Sequence, residues 1–460
     1  MMSVPYFALH ADSILVNGAR RCAIYHLTTG NVFSVDEAGR EILELSGEGL
    51  TVEEIFSRAR CVQSADEVAA FVQQLQDLGL GEMSPQRGQS SRTQVSLPPK
   101  RLSKVWVELT ERCNLRCVHC YADASPALRR KGELSHARFK ELIREAAHLG
   151  ARWIQFIGGE PLLYGSAHLA ELISTARDAS FEVIEVFTNG TLLTDAHLDL
   201  FAKHGAQVAV SLYSCDARVH DSITGCPGSF DRTVENLGRL RERGVLFRIG
   251  VVVTSINAHT ETKTLEWVRE KLGNVFVTSD IVRCTRCGRD GQAALLTTDL
   301  VRRRMRTAPD FPNIRRDMFQ KALGSHCCLD GEICVSARGD VYPCIMERTR
   351  VLGNTLSQSL EEIIESYNTQ SAWGLSKDRV PVCRDCEYRY ACGDCPPMAK
   401  ALAEMLQQRP VDGPVKDPLC TYDPYAGTWG SPEGILEGLC APQSPCSRAT
   451  NIEKGGIVHG

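Results

Sequence analysis

The sequence predicts an α/β fold: a partly closed barrel of six strand–helix units, preceded by a small strand-then-helix domain and followed by a cysteine-rich domain. Three observations predict it. Between residues 104 and 308, strand-length apolar runs alternate with amphipathic helical stretches, the pattern of a parallel sheet. Residues 1–84 place β-rich runs first and helical patterns after them. Residues 320–440 hold closely spaced cysteines among Gly and Pro, with weak periodicity. At roughly 150 residues per domain, 460 residues suit about three domains. The expected organisation is 1–84, a linker at 85–101, the barrel at 102–310, the cysteine-rich domain at 311–440 and a loose tail at 441–460.

In residues 1–84, stretches 6–16 and 23–35 are β-rich, with a Thr-Gly-Asn turn at 29–31. Thr51 with Glu54 and Ser64 with Glu67 read as capping boxes, in which hydroxyl and carboxylate satisfy a helix's first amides. Val68, Phe71, Val72, Leu75 and Leu78 then recur at helical spacing. This order is that of a winged helix. Residues 85–101 are rich in Ser, Gln, Pro and Arg and read as linker.

In the barrel, strands are predicted at 105–109, 153–157, 183–187, 208–212, 247–253 and 275–281. Helices are predicted at 135–149, 167–179, 195–203, 229–243 and 260–271. Active sites of such folds gather at the C-terminal ends of the strands. The segment 320–440 has so little apolar periodicity that it is expected to bury a core only when metal organises it.

A net charge of -4 gives no reason to expect a nucleic-acid partner. Residues 1–84 carry 12 acidic and 5 basic residues, an acidic module on a slightly basic remainder. No stretch approaches about 18 uninterrupted apolar residues, so no membrane helix is expected. The first residues lack a basic n-region, and Asp12 and Asn17 interrupt the apolar run, so a cytoplasmic location is expected. The 20 cysteines then read as metal ligands rather than disulfides.

The first motif is Cys113-Asn-Leu-Arg-Cys117-Val-His-Cys120, directly after the first barrel strand. Three thiolates hold three irons of a [4Fe–4S] cube and leave one iron open to a further ligand. Zinc is the alternative that spacing alone leaves open. The second motif, Gly158-Gly159-Glu160-Pro161, ends the second strand; its glycines allow close backbone approach to a ligand, and Glu160 offers a carboxylate to an ammonium.

These motifs, in this order on this pattern, resemble the radical S-adenosylmethionine (SAM) superfamily over about residues 104–308. The resemblance implies a partial (β/α)6 radical SAM barrel in which Cys113, Cys117 and Cys120 hold the cluster. SAM chelates the open iron, and Gly158, Gly159 and Glu160 receive its amino group. Thr188, Asn189 and Ser211 resemble positions near the methionine and ribose of SAM. His119 stands where the family places an aromatic residue beside the adenine.

Residues 320–440 resemble the SPASM domain, a twin-cluster extension of peptide and protein maturases. The stretches are Cys328-Leu-Asp-Gly331, Cys334, Gly339-Asp-Val-Tyr-Pro-Cys344 and Gly353-Asn354. They continue in Cys383-x2-Cys386-x5-Cys392-x2-Cys395 and Cys420. The family's interleaved pattern implies one auxiliary cluster on Cys328, Cys334, Cys344 and Cys395, and another on Cys383, Cys386, Cys392 and Cys420. The last spacing departs from the family's C-x3-C, which singles out Cys395. Cys327 competes with Cys328. Pairs of C-x2-C also suit zinc.

The N-terminal module, with Val32-Phe-Ser-Val-Asp-Glu-Ala-Gly39, resembles the RiPP recognition element, which binds leader peptides of ribosomal precursors. It implies strand addition of the leader to a sheet edge, expected near residues 23–27. Taken together, the resemblances imply a peptide maturase with three [4Fe–4S] clusters and SAM, supplied with electrons by a reductant such as flavodoxin or ferredoxin. A 5′-deoxyadenosyl radical would take hydrogen from a ribosomally synthesised precursor, and a thioether or carbon–carbon cross-link would follow. Maturation of a folded enzyme and peptide epimerisation are the alternatives. No residue of the sequence specifies a general base. Cys284 and Cys287 read as spare thiols near the barrel mouth; Cys22, Cys61, Cys215, Cys226, Cys440 and Cys446 read as incidental.

Overall fold

The computed structural model describes residues 6–85, 97, 100–128, 132–283, 296–311, 313–326 and 328–440. Four strands open the chain: β1 (Tyr6–Leu9), β2 (Ser13–Asn17), β3 (Cys22–His26) and β4 (Asn31–Val35). Helices α1 (Glu37–Gly47), α2 (Val52–Arg58) and α3 (Ala65–Asp77) follow, then β5 (Gly81–Ser84), which pairs with β1. Thr51 and Glu54 form a complete capping box on α2. On α3 the box is half formed: Ser64 accepts from the Glu67 amide, but the Glu67 carboxylate accepts from Gln63.

β2, β3 and β4 make one antiparallel sheet with β3 in its middle. This corrects the expected docking edge. Residues 23–27 lie on a strand paired on both sides, and Ala23, Ile24 and Tyr25 are fully buried. Within this sheet an added strand would pair with β2 or β4. Alternation along β3 sends Cys22 and Ile24 toward the helices, and Ala23, Tyr25 and Leu27 toward the cysteine-rich domain. There Tyr25 Oη donates to the Glu387 carbonyl at 2.9 Å, and the Ala19 amide donates to Asp385 at 2.7 Å.

The barrel runs β6 (Lys104–Glu108), α4 (His136–His148), β7 (Trp153–Ile157), α5 (Ser166–Asp178), β8 (Val183–Thr188), α6 (Asp195–His204) and β9 (Gln207–Ser211). It continues through α7 (Ala217–Thr224), α8 (Ser229–Glu242), β10 (Phe247–Val253), α9 (Glu261–Leu272) and β11 (Phe276–Ile281). The six strands are parallel and adjacent in chain order. Val105, Ile154, Phe156, Val186, Val208 and Ile249 line their buried faces against helix residues such as Phe139, Leu172 and Phe201.

After α10 (Thr298–Arg304) and α11 (Arg316–Gly324), β12 (Glu332–Val335) joins the same sheet, parallel to β6. β13 (Asp340–Tyr342) and β14 (Gly353–Asn354) extend it antiparallel to nine strands. Helices α12 (Leu360–Glu365), α13 (Tyr367–Trp373) and α14 (Pro396–Gln407) follow in the cysteine-rich domain, then the β15 (Tyr422–Asp423)–β16 (Thr428–Trp429) pair and α15 (Glu433–Cys440). Part of this segment's core is shared with the barrel. Ile333, Val335, Leu360, Ile363 and Trp373 are packed into the barrel's own core. Among the described residues no helix is long and apolar enough to cross a membrane.

Candidate cofactor and cluster sites

The loop after β6 carries Cys113, Cys117 and Cys120, which pack together with Leu115 and Ala124. Backbone amides point at the sulfurs: Leu115 donates to Cys113 Sγ at 3.4 Å and Ala124 to Cys120 Sγ at 3.3 Å. The loop is braced from behind by α7, whose Ile223 and Thr224 carbonyls accept from Val118 and Arg116. Burial pushes the Cys113 thiol up to about 12, so its thiolate needs a compensating positive centre such as iron. Cys226, expected to be incidental, packs against this same group.

The glycines at 158 and 159 lie at the end of β7. They approach the cysteine loop. A Cβ at Gly158 would stand 2.6 Å from the Thr110 carbonyl oxygen, and one at Gly159 would stand 2.0 Å from that of Arg112. The two segments are zipped by Gly159 N to Thr110 O at 2.7 Å and Glu160 N to Arg112 O at 2.8 Å. Only a residue without a side chain permits that approach.

Glu160 is fully buried at the end of β7. Its carboxylate accepts from Thr188 Oγ1 at 2.6 Å, the Asn189 amide at 2.9 Å and the Leu162 amide at 3.1 Å. Burial outweighs these bonds and raises its pKa to about 7. Thr188 therefore holds Glu160. Asn189 turns the other way: its amide donates to Asn114 at 2.9 Å and reaches Cys113 Sγ at 3.8 Å. Thr191 closes this network through Asn114 and Asn189. Glu160, Thr188 and Asn189 are thus brought to the cysteine loop. Ser211, ending β9, bonds the hydroxyl of Tyr213. Tyr213 is buried and meets His119 edge-on at 4.7 Å. Asn114 and Tyr213 were not singled out from the sequence; nothing in motif spacing marks them.

The later cysteines form two groups. Cys328, Cys334 and Cys344 pack in one apolar group with Trp106; Cys395 packs beside Met398 and Leu402, near enough for its charge to push the Cys344 thiol up. Cys383, Cys386, Cys392 and Cys420 line one small cavity with Lys377, Asp394 and Tyr422. Burial raises Cys344 and Cys383 to about 12 and Cys392 to about 11. Cationic donors face the sulfurs: Arg306 reaches Cys392 Sγ at 2.7 Å and Arg283 reaches Cys395 Sγ at 4.0 Å. Buried and half-buried thiols in fours, with donors aimed at sulfur, fit cubic clusters, whose potentials such bonds tune. Among the described residues no three His, Cys, Asp or Glu side chains converge closely enough to hold a single metal ion. Cys284, Cys287, Cys327 and Cys446 lie outside the described residues, as does most of the 85–101 linker.

A second network bridges the barrel and the later domain. Glu108, which ends β6, pairs with Arg348 and accepts from Tyr121 Oη at 3.0 Å. All three side chains are largely withdrawn from solvent.

Residues 107–268 match the Radical SAM superfamily, and residues 327–387 match the SPASM iron–sulfur cluster-binding domain. The AdoMet-dependent heme synthase of Nitratidesulfovibrio vulgaris is 28% identical over 69% of this chain and 91% of its own length. The antilisterial bacteriocin subtilosin biosynthesis protein AlbA of Bacillus subtilis is 27% identical over 63% of this chain and 66% of its own. The crystal structure of Streptococcus suis SuiB superposes with a TM-score of 0.52 at 13% identity, covering 90% of this chain and 100% of that one. These matches imply SAM and multiple [4Fe–4S] clusters as cofactors.

Proposed function

Since the chain is a radical SAM enzyme whose barrel continues into a SPASM domain, we propose that it matures a ribosomally synthesised peptide by installing a thioether or carbon–carbon cross-link. The observation that carries this reading is the N-terminal module. Its β2–β3–β4 sheet is bonded directly to the segment bearing Cys383 and Cys386, through Tyr25, Ala19 and Ser34. A leader added to β4, where Asn31 and Ser34 are exposed, would be tethered beside the cluster domain. The likeness to a bacteriocin biosynthesis protein supports a peptide substrate.

In this reading Cys113, Cys117 and Cys120 hold the catalytic cluster. Cys328, Cys334, Cys344 and Cys395 hold one auxiliary cluster; Cys383, Cys386, Cys392 and Cys420 hold the other. When bound, SAM and the catalytic cluster supply a 5′-deoxyadenosyl radical that removes hydrogen from the substrate. Glu160, held in place by Thr188 and the Asn189 amide, would receive the amino group of SAM. Asn189 and Asn114 fix the Cys113 segment against the end of β8. Tyr213 and His119 close the wall of the site and keep water from it.

The test is the accurate mass of a candidate precursor after anaerobic incubation with reconstituted enzyme, SAM and reductant. A loss of about two hydrogens per event, with 5′-deoxyadenosine formed, is expected. Cleavage of SAM without a mass change would favour epimerisation. A second reading, chemistry on a heme precursor, is favoured by the likeness to the heme synthase. Porphyrin-dependent SAM cleavage with no response to peptide would select it.

A further inference from the structure

A cavity of about 580 Å3 opens in the SPASM domain, separate from the SAM-binding residues. Its floor is a buried chain of three side chains. His326 Nε2 meets Asp394 Oδ1 at 2.7 Å, and the other Asp394 oxygen pairs with Lys377 Nζ. Their side chains are 3%, 4% and 6% exposed, so the chain is sealed from solvent on all but the cavity side. His326 Nδ1 lies 3.2 Å from Cys328 Sγ. Lys377 and Asp394 line one small cavity with Cys383 and Cys392, and Asp394 immediately precedes Cys395. The floor therefore touches the ligand sets of both auxiliary clusters.

The rim has the opposite charge from the chain. Arg350, Arg379 and Lys400 stand against the single carboxylate of Glu347, on a protein whose net charge is -4. Arg379 is exposed, and Arg350 and Lys400 are half-buried. Beside them Val351 is 49% exposed and Tyr367 is 85% exposed. Tyr367 sits one helical turn before Ser371, which lines the cavity, and Arg350 bonds the neighbouring Asn368 carbonyl at 2.6 Å. Exposed apolar side chains rimmed by charge mark a protein-docking surface.

We propose that this rim docks an acidic one-electron carrier protein, which delivers electrons to the auxiliary clusters across the His326–Asp394–Lys377 floor. One electron passes from the reduced carrier to an oxidised cluster per encounter, and no bond is made or broken. The proposal rests on the auxiliary-cluster assignment above.

The experiment uses the reconstituted full-length enzyme and reduced flavodoxin as the probe. Stopped-flow bleaching of the clusters is compared with bleaching by dithionite, which needs no docking surface. Iron is measured first: about eight irons beyond the barrel's four are required, and their absence overturns the cluster assignment and the docking surface together. With full iron, the R350E/K400E double variant is expected to slow the flavodoxin rate relative to dithionite by about tenfold or more at low salt, and to flatten its dependence on ionic strength. Arg302→Glu, exposed on α10, is the control and keeps the wild-type ratio. An unchanged ratio in the double variant overturns the proposal. An unchanged ratio with weakened binding of the precursor peptide also overturns it, and assigns the cavity to substrate.

Discussion

Gly159 lies so close to Arg112 that a methyl group on its α-carbon would overlap the Arg112 carbonyl oxygen, at 2.0 Å. Gly159 belongs to the motif proposed to bind SAM, and Arg112 directly precedes the one proposed to bind iron. Gly159→Ala must force them apart. Overpacking of this kind costs about 1–3 kcal/mol. The expected outcome is a lower urea midpoint together with weaker SAM binding, measured by equilibrium dialysis on the reconstituted protein.

Glu160, raised to about 7 by burial, titrates near neutrality. A carboxyl raised above its unfolded value keeps its proton in the fold after the unfolded chain has released its own. Its contribution to stability is therefore present below about pH 4.5 and is lost as the pH rises through about 7. SAM binding runs the other way, because the carboxylate is the form that accepts from the amino group. SAM affinity should tighten as the pH rises from about 6 to about 8. Glu160→Gln should bind SAM more weakly and show a flatter profile across that range.

Removing a single auxiliary ligand should empty one cluster and spare the others. Cys395→Ala and Cys420→Ala are each expected to lose about four irons, while the barrel cluster still cleaves SAM. Iron and sulfide analysis with electron paramagnetic resonance reads this directly. Cys328→Ala should lose iron and Cys327→Ala should not. Equal losses would reassign the ligand.

The Glu108–Arg348 pair joins the end of β6 to the loop after Cys344. Arg348→Met leaves the buried Glu108 carboxylate unpaired, at a cost of about 3–5 kcal/mol. The double variant with Glu108→Gln should recover part of that loss. A denaturation cycle over the four proteins measures the coupling.

Tyr25 fastens the N-terminal sheet to the cluster domain, packing on Phe319 at 5.0 Å between ring centres as well as bonding Glu387. Tyr25→Ala should cost about 3–5 kcal/mol and expose the interface to limited proteolysis. Tyr25→Phe, which keeps the ring, should cost about 1–3 kcal/mol.

The barrel was legible because its signal is local. Each strand lies within one residue of the position that apolar runs predict, and each predicted helix has a buried stripe such as Phe139, Leu142, Ile143 and Ala146 on α4. α7 was not predicted, because its buried face is His220, Ile223 and Thr224, too polar to register as periodic. β12 was missed for a different reason. Four residues carry little pattern, and its place is set by pairing with β6, more than 200 residues earlier. The same holds for β3: composition marks it as a strand, but only the sheet shows that both its edges are taken. The cysteine motifs were legible as ligand sets, whereas Asn114, Tyr213 and the Glu108–Arg348 pair depend on contacts that spacing does not encode.

The junction of β12 with β6 acts as a ruler. Cys334 sits level with Trp106 and Val335 with Val107, on the strand that runs straight into the Cys113 loop. The gap between the Cys113 loop and Cys334, a ligand of one proposed auxiliary cluster, is therefore counted in rungs of one hydrogen-bonded ladder, at about 3.3 Å per residue. A hinge between domains would let that gap breathe; a shared ladder does not. Slipping β12 by one residue would turn Cys334 to the opposite face of the sheet, taking it away from its proposed cluster outright rather than lengthening the gap.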